Sequence, residues 1–184
     1  MGEVIAAPCV TLVDDPLLPE GMATAPFDDE GVATYRKPVI EAGTLKTLLH
    51  NLKTAKKDGV QSTGNAAKSG YAAPVRVSPS NFFFQPGADD LAALCARMGE
   101  GLVITDVSGL HAGANAVSGD FSLLSKGYRV RNGEKAEPVE QITVAGNFYT
   151  LLKDIVAVGS DLTFPFGGVG SPSVWVKALS VAGR

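Results

Sequence analysis

The chain has little with which to build a metal site. Its 184 residues include two histidines and two cysteines, whereas a catalytic zinc ordinarily takes three protein ligands, often starting from a helical pair of histidines. His50 and His111 stand in different segments, and neither a His-x-x-x-His nor a Cys-x-x-Cys spacing occurs. Two cysteines, Cys9 and Cys95, do not make a disulfide scaffold in a chain of this size. Positive charge is also short. Sixteen Lys and Arg against 19 Asp and Glu give a net charge of −3, which argues against a phosphate-binding surface of clustered cations. No apolar run approaches the roughly 18 residues needed to span a bilayer. The N-terminus lacks the basic and apolar regions of a secretory signal, and Ala6 stands where a myristoylation motif needs Ser or Thr. The expected compartment is the cytoplasm, with no membrane and no direct nucleic-acid partner.

What is present is ordinary globular material. Hydrophobic residues make up 45% and charged residues 19%, and 184 residues are enough for one domain with a real core or two small ones. Short β-prone runs at Val10–Val13, Val32–Ile40, Pro74–Val77 and Asn81–Gln85 are separated by turn residues. Thr44–Leu49 reads as a returning strand followed by a helix over Asn51–Asp58 that Gly59 closes. A single helix over Thr44–Asp58 is the competing reading, since Leu45, Leu48, Leu49 and Leu52 share a face. Asp89–Met98 forms a helix with Leu91, Leu94, Cys95 and Met98 on one side. Leu102–Val107 reads as a buried strand. Asn132-Gly133 between Phe121–Arg131 and Pro138–Val144 signals a tight hairpin. Asn147 caps a helix over Phe148–Val156, with Phe148, Leu151, Leu152 and Ile155 inward. Gly159–Pro172 reads as a loop and Ser173–Val181 as a final strand holding Trp175. The pattern predicts an α+β class, mainly antiparallel, with a curled or barrel-like sheet and two or three short helices.

The polar loops hold the candidate chemistry. Gly109–Ser122 reads Gly-Leu-His-Ala-Gly-Ala-Asn-Ala-Val-Ser-Gly-Asp-Phe-Ser, a composition that suits an irregular exposed backbone better than a core. His111, Ser118, Asp120 and Ser122 supply the letters of a nucleophilic triad, but no Gly-x-Ser-x-Gly elbow is present. Gly167–Ser171 is glycine-rich without the Lys-Ser/Thr start of a phosphate loop. Ser62-Thr63-Gly64-Asn65 reads as an anion nest or a turn. Asp28-Asp29-Glu30-Gly31 lacks EF-hand spacing and reads as a solvated turn. Cys95 reads as a buried inert thiol, Cys9 as the start of a strand, and His50 as a packing or capping residue near a strand end. These residues alone give no catalytic residue and no metal ligand.

Seven segments in order resemble the C-terminal half of the TldD/PmbA family: Val10–Pro16, Pro26–Gly31, Ser62–Asn65, Gly109–Ser122, Gly127–Gly133, Ile142–Asn147 and Ile155–Asp161. The resemblance implies a two-subunit zinc metallopeptidase that processes peptides and unfolded segments, some members of which carry the label of modulator of DNA gyrase. In the TldD subunit a His-Glu-x-x-x-His helix and a cysteine of a late glycine-rich loop serve the zinc. This chain has no such helix, and its matching loop, Ser160–Gly170, has no cysteine. The segment Gly109–Ser122 is similar to the PmbA/TldE side, the subunit without the zinc motif. Residues 1–184 are therefore expected to be a single C-terminal domain whose N-terminal half is absent, inactive alone, with zinc held by a partner TldD-like subunit.

The resemblance further implies partners: the TldD-like subunit, an extended or unfolded peptide, and a second copy when the domain is isolated. Ser62, Asn65, His111 and Asp120 are the expected peptide-binding residues, because they sit on polar loops between strands. The alternatives are a regulatory or scaffold protein that binds a macromolecule such as DNA gyrase, and an autonomous enzyme.

Overall fold

The structure, a computed structural model, describes residues 1–183. Its elements in chain order are β1 (Leu12–Asp14), β2 (Lys37–Glu41), β3 (Thr44–Leu45), α1 (Leu52–Asp58), β4 (Ala66–Ala67), β5 (Arg76–Val77), β6 (Phe82–Phe84), α2 (Leu91–Met98) and β7 (Gly101–Ser108). They continue with α3 (Leu110–Gly113), β8 (Asp120–Arg131), β9 (Glu134–Asn147), α4 (Phe148–Lys153), β10 (Ile155–Val158), β11 (Thr163–Phe166), β12 (Val169–Ser171), β13 (Val174–Val176) and β14 (Ser180–Ala182). The class is α+β and predominantly antiparallel, with β12–β6 as a parallel pair. No sheet among the described residues closes into a barrel.

Two sheets organise the molecule. The first has the order β11-β12-β6-β1-β2-β3, and the second β14-β9-β8-β7. Small pairs, β4–β5 and β10–β13, complete the set. The main core joins the N-terminal segment to β2, α4 and β10: Ala6, Ala7, Val10, Ile40, Leu152, Ile155 and Val158 are buried together. In the second sheet Leu123, Val130, Ile142 and Val144 are buried, as are Leu94 and Cys95 of α2, which packs against β9.

Local chemistry explains the boundaries. Asn51 caps α1 in a reciprocal box with Thr54, and Gly59 ends it in the left-handed region at φ 68°. The strand-then-helix reading of Thr44–Asp58 therefore holds, with the helix starting at Leu52. Asn132 and Gly133, at φ 50° and 80°, make the two-residue turn between β8 and β9. Gly127 is needed where β7 crosses β8: a Cβ there would stand on Val103 O.

Several expectations need correction. Among the described residues there are four short helices rather than two or three, because Leu110–Gly113 coils into α3. The stretch Gly159–Pro172 contains a hairpin, β11–β12, because Gly167-Gly168 turns the chain tightly. Ser173–Val181 splits into β13 and β14, which join different sheets. β7 is only half-buried and exposed from Thr105 onward, since nothing pairs with its outer edge among the described residues. The helix after Asn147 stops at Lys153, leaving Ile155 buried on a strand and Phe148 half-exposed. Asp28 is buried rather than solvated: its carboxylate accepts from the backbone N–H groups of Glu30, Val32 and Ala66.

Candidate functional site

The first polar loop, Ser62–Asn65, folds around a buried carboxylate. Asp14 ends β1 and has no exposure to water. One of its oxygens accepts from Ser80 N and Ser80 Oγ, each at 2.7 Å. The other accepts from Lys37 Nζ at 3.0 Å and from Asn65 Nδ2 at 2.7 Å. Lys37 is itself 2% exposed, and its ammonium lies 4.7 Å from the centre of the Tyr35 ring. A buried charge pair of this kind holds only when its remaining polar groups are satisfied. Every described buried side-chain N or O atom has a hydrogen-bond partner.

Asn65 extends the network. Its Nδ2 also donates to Ser78 O at 3.1 Å, and its Oδ1 faces Thr63 Oγ1 at 2.7 Å. Thr63 Oγ1 in turn accepts from His50 N at 2.7 Å. His50 is buried, with Nδ1 3.2 Å from Thr54 Oγ1. Ser62 is half-buried, and its hydroxyl donates to His50 O at 3.2 Å. The loop thus joins β1, β2, the start of α1 and residues 78–80 through hydrogen bonds.

The second polar loop, between α3 and β8, faces outward. His111 is exposed on α3, and its ring has no hydrogen-bond partner among the described residues. Asn115 Oδ1 accepts from Val117 N at 2.9 Å and Ser118 N at 3.1 Å, closing a side-chain turn. Asn147 braces this loop from the side. Its Nδ2 donates to Ser118 O and Asp120 Oδ1, each at 2.8 Å, while its Oδ1 caps α4 by accepting from Tyr149 N at 3.0 Å. Gly119, at φ 80°, lies so close to Tyr149 that a Cβ would stand 2.6 Å from the ring.

Hydrogen bonds from Asn147 and Ser118 hold the Asp120 carboxyl below its ordinary range. Asp161, on the other sheet's late hairpin, shows opposing influences. Burial pushes its carboxyl up, and hydrogen bonds from Ser173 Oγ and N outweigh it and hold it low. Burial pushes the Cys95 thiol up, consistent with an inert core thiol.

Two concavities lie along the second sheet. One is an open depression lined by Ala112–Ala116 and Asp120–Ser122, a lining that begins one residue after His111 and does not include it. The other, of about 640 Å³, lies between α2, the first half of β7 and residues 173–181, and is lined by Leu94, Met98, Ile104 and Trp175 among others. The four expected binding residues therefore fall into two groups. Ser62 and Asn65 belong to the first sheet's internal network. His111 and Asp120 belong to an exposed loop at the end of the second. No hydrogen bond joins the two loops among the described residues.

The residues present do not fit zinc. Among the described residues no group of three or more His, Cys, Asp or Glu side chains converges. Cys9 is exposed, its Sγ 3.6 Å from Ile155 O, and Cys95 is buried in the second sheet's core. The hub that residue-by-residue reading missed is Asp14 with Lys37. Its only sequence signal is a lysine inside a β-prone run, a position where a cation needs a partner. No described helix is long and apolar enough to cross a membrane.

Comparison with known proteins gives a consistent picture. A family model described as the PmbA/TldA metallopeptidase C-terminal domain matches residues 1–183. The chain is 34% identical over its whole length to the metalloprotease PmbA of Escherichia coli O157:H7, covering 38% of that protein. It superposes with a TM-score of 0.90 and 49% identity on a Thermotoga maritima protein named as a candidate modulator of a DNA gyrase, covering 99% of this chain and 41% of that one. Thermococcus kodakarensis TldE also gives a TM-score of 0.90, at 27% identity, over all of this chain and 42% of the archaeal one. The chain thus spans about two fifths of the length of these relatives.

Proposed function

The chain belongs to the PmbA/TldD metallopeptidase family, matching its C-terminal domain, and from that premise we propose that it serves a PmbA/TldE-like subunit of a two-subunit zinc peptidase without itself catalysing. In this reading the partner TldD-like subunit holds the zinc. This domain shapes the groove for an extended or unfolded peptide, or the interface between the subunits. Support comes from the likeness to TldE and from a residue set that does not fit zinc.

The observation that carries the groove role is the exposed loop beside the open depression. Asp120 lines it with an exposed carboxylate that Asn147 Nδ2 holds in place, Asn147 also holds Ser118 O, and the exposed His111 stands one residue before the lining begins. Ser62 and Asn65 contribute differently, by fixing the first sheet's loops. A polar contact of this kind is worth about 0.5–1.5 kcal/mol, or roughly two- to tenfold in binding. His111→Ala in the full-length subunit, reconstituted with its TldD-like partner, is expected to lower kcat/KM for an unfolded peptide by that factor. Unchanged processing would remove the groove role. Metal analysis tests the division of labour: zinc travels with the partner, and stoichiometric zinc in this chain would overturn the assignment.

The name of the Thermotoga relative favours a second reading, a regulatory partner of DNA gyrase. The net charge of −3 argues that such a partner would be bound as protein rather than through DNA. A pull-down with the full-length subunit that recovers gyrase and no TldD-like chain would select this reading.

A further inference from the structure

The depression at the end of the second sheet is apolar along its floor and charged at one point. Ala112, Gly113, Ala114, Ala116 and Phe121 make most of its lining, and Asp120 is the one charged side chain in it. Gly113 lets α3 lie down on β8, since a Cβ there would stand on Ser122 O. Ala114 bridges to Phe121, and Asn115 N donates to Asp120 O at 2.9 Å, so backbone pairing fixes the shape of the depression.

The Asp120 carboxylate is exposed, and no Lys, Arg or His lies within ion-pair distance of it among the described residues. Elsewhere in this sheet Asp106 pairs with Lys126 and Glu137 with Arg131. Glu134 and Glu140 also lack a cation among the described residues, but they line neither concavity. Asp120 is also held still. Asn147 Nδ2 donates to its Oδ1 at 2.8 Å, and the start of α4 fixes Asn147 in turn. A group fixed before binding loses little freedom when it binds.

We propose that Asp120 and this depression form a subsite for a basic side chain, lysine or arginine, of the bound peptide. The proposal rests on the groove reading above and adds a preference to it. A basic side chain has an aliphatic stem and a cationic tip. The stem suits the alanine and phenylalanine floor, and the tip meets a carboxylate that no described cation of this chain neutralises. An acidic side chain would meet like charge. A purely apolar one would take water from the carboxylate without replacing its hydrogen bonds. A metal ion does not fit, because no group of three His, Cys, Asp or Glu side chains converges among the described residues.

The test uses the full-length subunit reconstituted with its TldD-like partner, and two unfolded, otherwise uncharged peptides. They differ at one position, lysine in one and norleucine in the other, and that position is moved along the peptide in turn. Norleucine keeps the aliphatic stem without the ammonium. At one position the ratio of kcat/KM, lysine over norleucine, is expected to be about two to five, the range of an exposed ion pair. The ratio should shrink with added salt. Asp120→Asn keeps the shape and an oxygen for Asn147, and should bring the ratio to about one. Asp106→Asn removes a carboxylate outside the depression and should leave the ratio as it was.

A second readout needs no peptidase. In proton–nitrogen NMR spectra of the 184-residue chain, Nα-acetyl-lysine methylamide should shift the Asn147 side-chain amide and the backbone amides of Asn115 and Ser122. Nα-acetyl-norleucine methylamide should not. Equal shifts from both probes, a ratio of one at every position, or a ratio indifferent to Asp120→Asn would each overturn the proposal. If His111→Ala still lowered the processing of both peptides, the groove reading would stand without the basic subsite. Processing indifferent to both Asp120→Asn and His111→Ala would overturn the two together.

Discussion

Two loops that share a set of turn residues meet opposite fates in this molecule. Ser62–Asn65 and the stretch between α3 and β8 each hold one Gly, one Ser and one Asn. The first turns inward, and its asparagine is 3% exposed against a buried aspartate. The second turns outward, and its asparagine bonds only its own loop. The difference does not lie in the loops. It lies in what waits 51 residues earlier in the chain for one of them: a carboxylate on β1 that is already buried with a lysine. A polar loop becomes structural when a buried charge needs its donors, and stays available when none does.

The contrast can be broken most forcefully at Asp14. Asp14→Ala leaves the Lys37 ammonium buried without its counter-ion, and removal of one member of such a pair costs about 3–5 kcal/mol. Urea denaturation of the 184-residue chain is expected to show that loss, and a change below 1 kcal/mol would place the pair at the surface. Asn65→Ala comes next. It removes a donor from Asp14 and an acceptor from Thr63, with an expected cost of about 1–3 kcal/mol.

At the outward loop the corresponding change is smaller. Asn147→Ala removes the cap of α4 and the brace on Ser118 and Asp120, at an expected cost of about 0.5–2 kcal/mol. Thermal melts that rank Asn147→Ala above Asn65→Ala would reverse the comparison. The smallest effect concerns acid. The Asp120 carboxyl titrates lower in the folded chain than in the unfolded one. Its contribution is therefore complete above the unfolded value and disappears as pH falls through the folded one, below the ordinary aspartate range near 3.9. NMR titration should place Asp120 under that range, and Asn147→Ala should bring it back up.

Much of the architecture was legible because it is local. The Asn132-Gly133 turn, the Asn51 and Asn147 caps and the Gly59 stop are each decided within a few residues. The apolar face of α2 shows in its spacing, and Leu94 and Cys95 are indeed the buried pair. What escaped was non-local. The β11–β12 hairpin turns locally at Gly167-Gly168, but its place in the first sheet depends on β12 lying parallel to β6, far away in the chain. The exposure of β7 goes with the lack of a strand on its outer side among the described residues, which an apolar run cannot announce. The candidate loops show the same limit. The exposure of His111 and Asp120 could be read from composition, because exposure and polarity coincide there. Composition also picked Asn65, whose surroundings are set by Asp14 and Lys37 rather than by its own loop.

Asn147 has one further consequence. A single amide group closes the first turn of α4 with its oxygen and holds Ser118 and Asp120 with its nitrogen. Loop and helix start therefore share one latch and open as one cooperative unit. The amides of Val117 and Ser118 on one side, and Tyr149 and Thr150 on the other, should exchange their hydrogens with deuterium in concert, although some thirty residues of β-hairpin separate them along the chain.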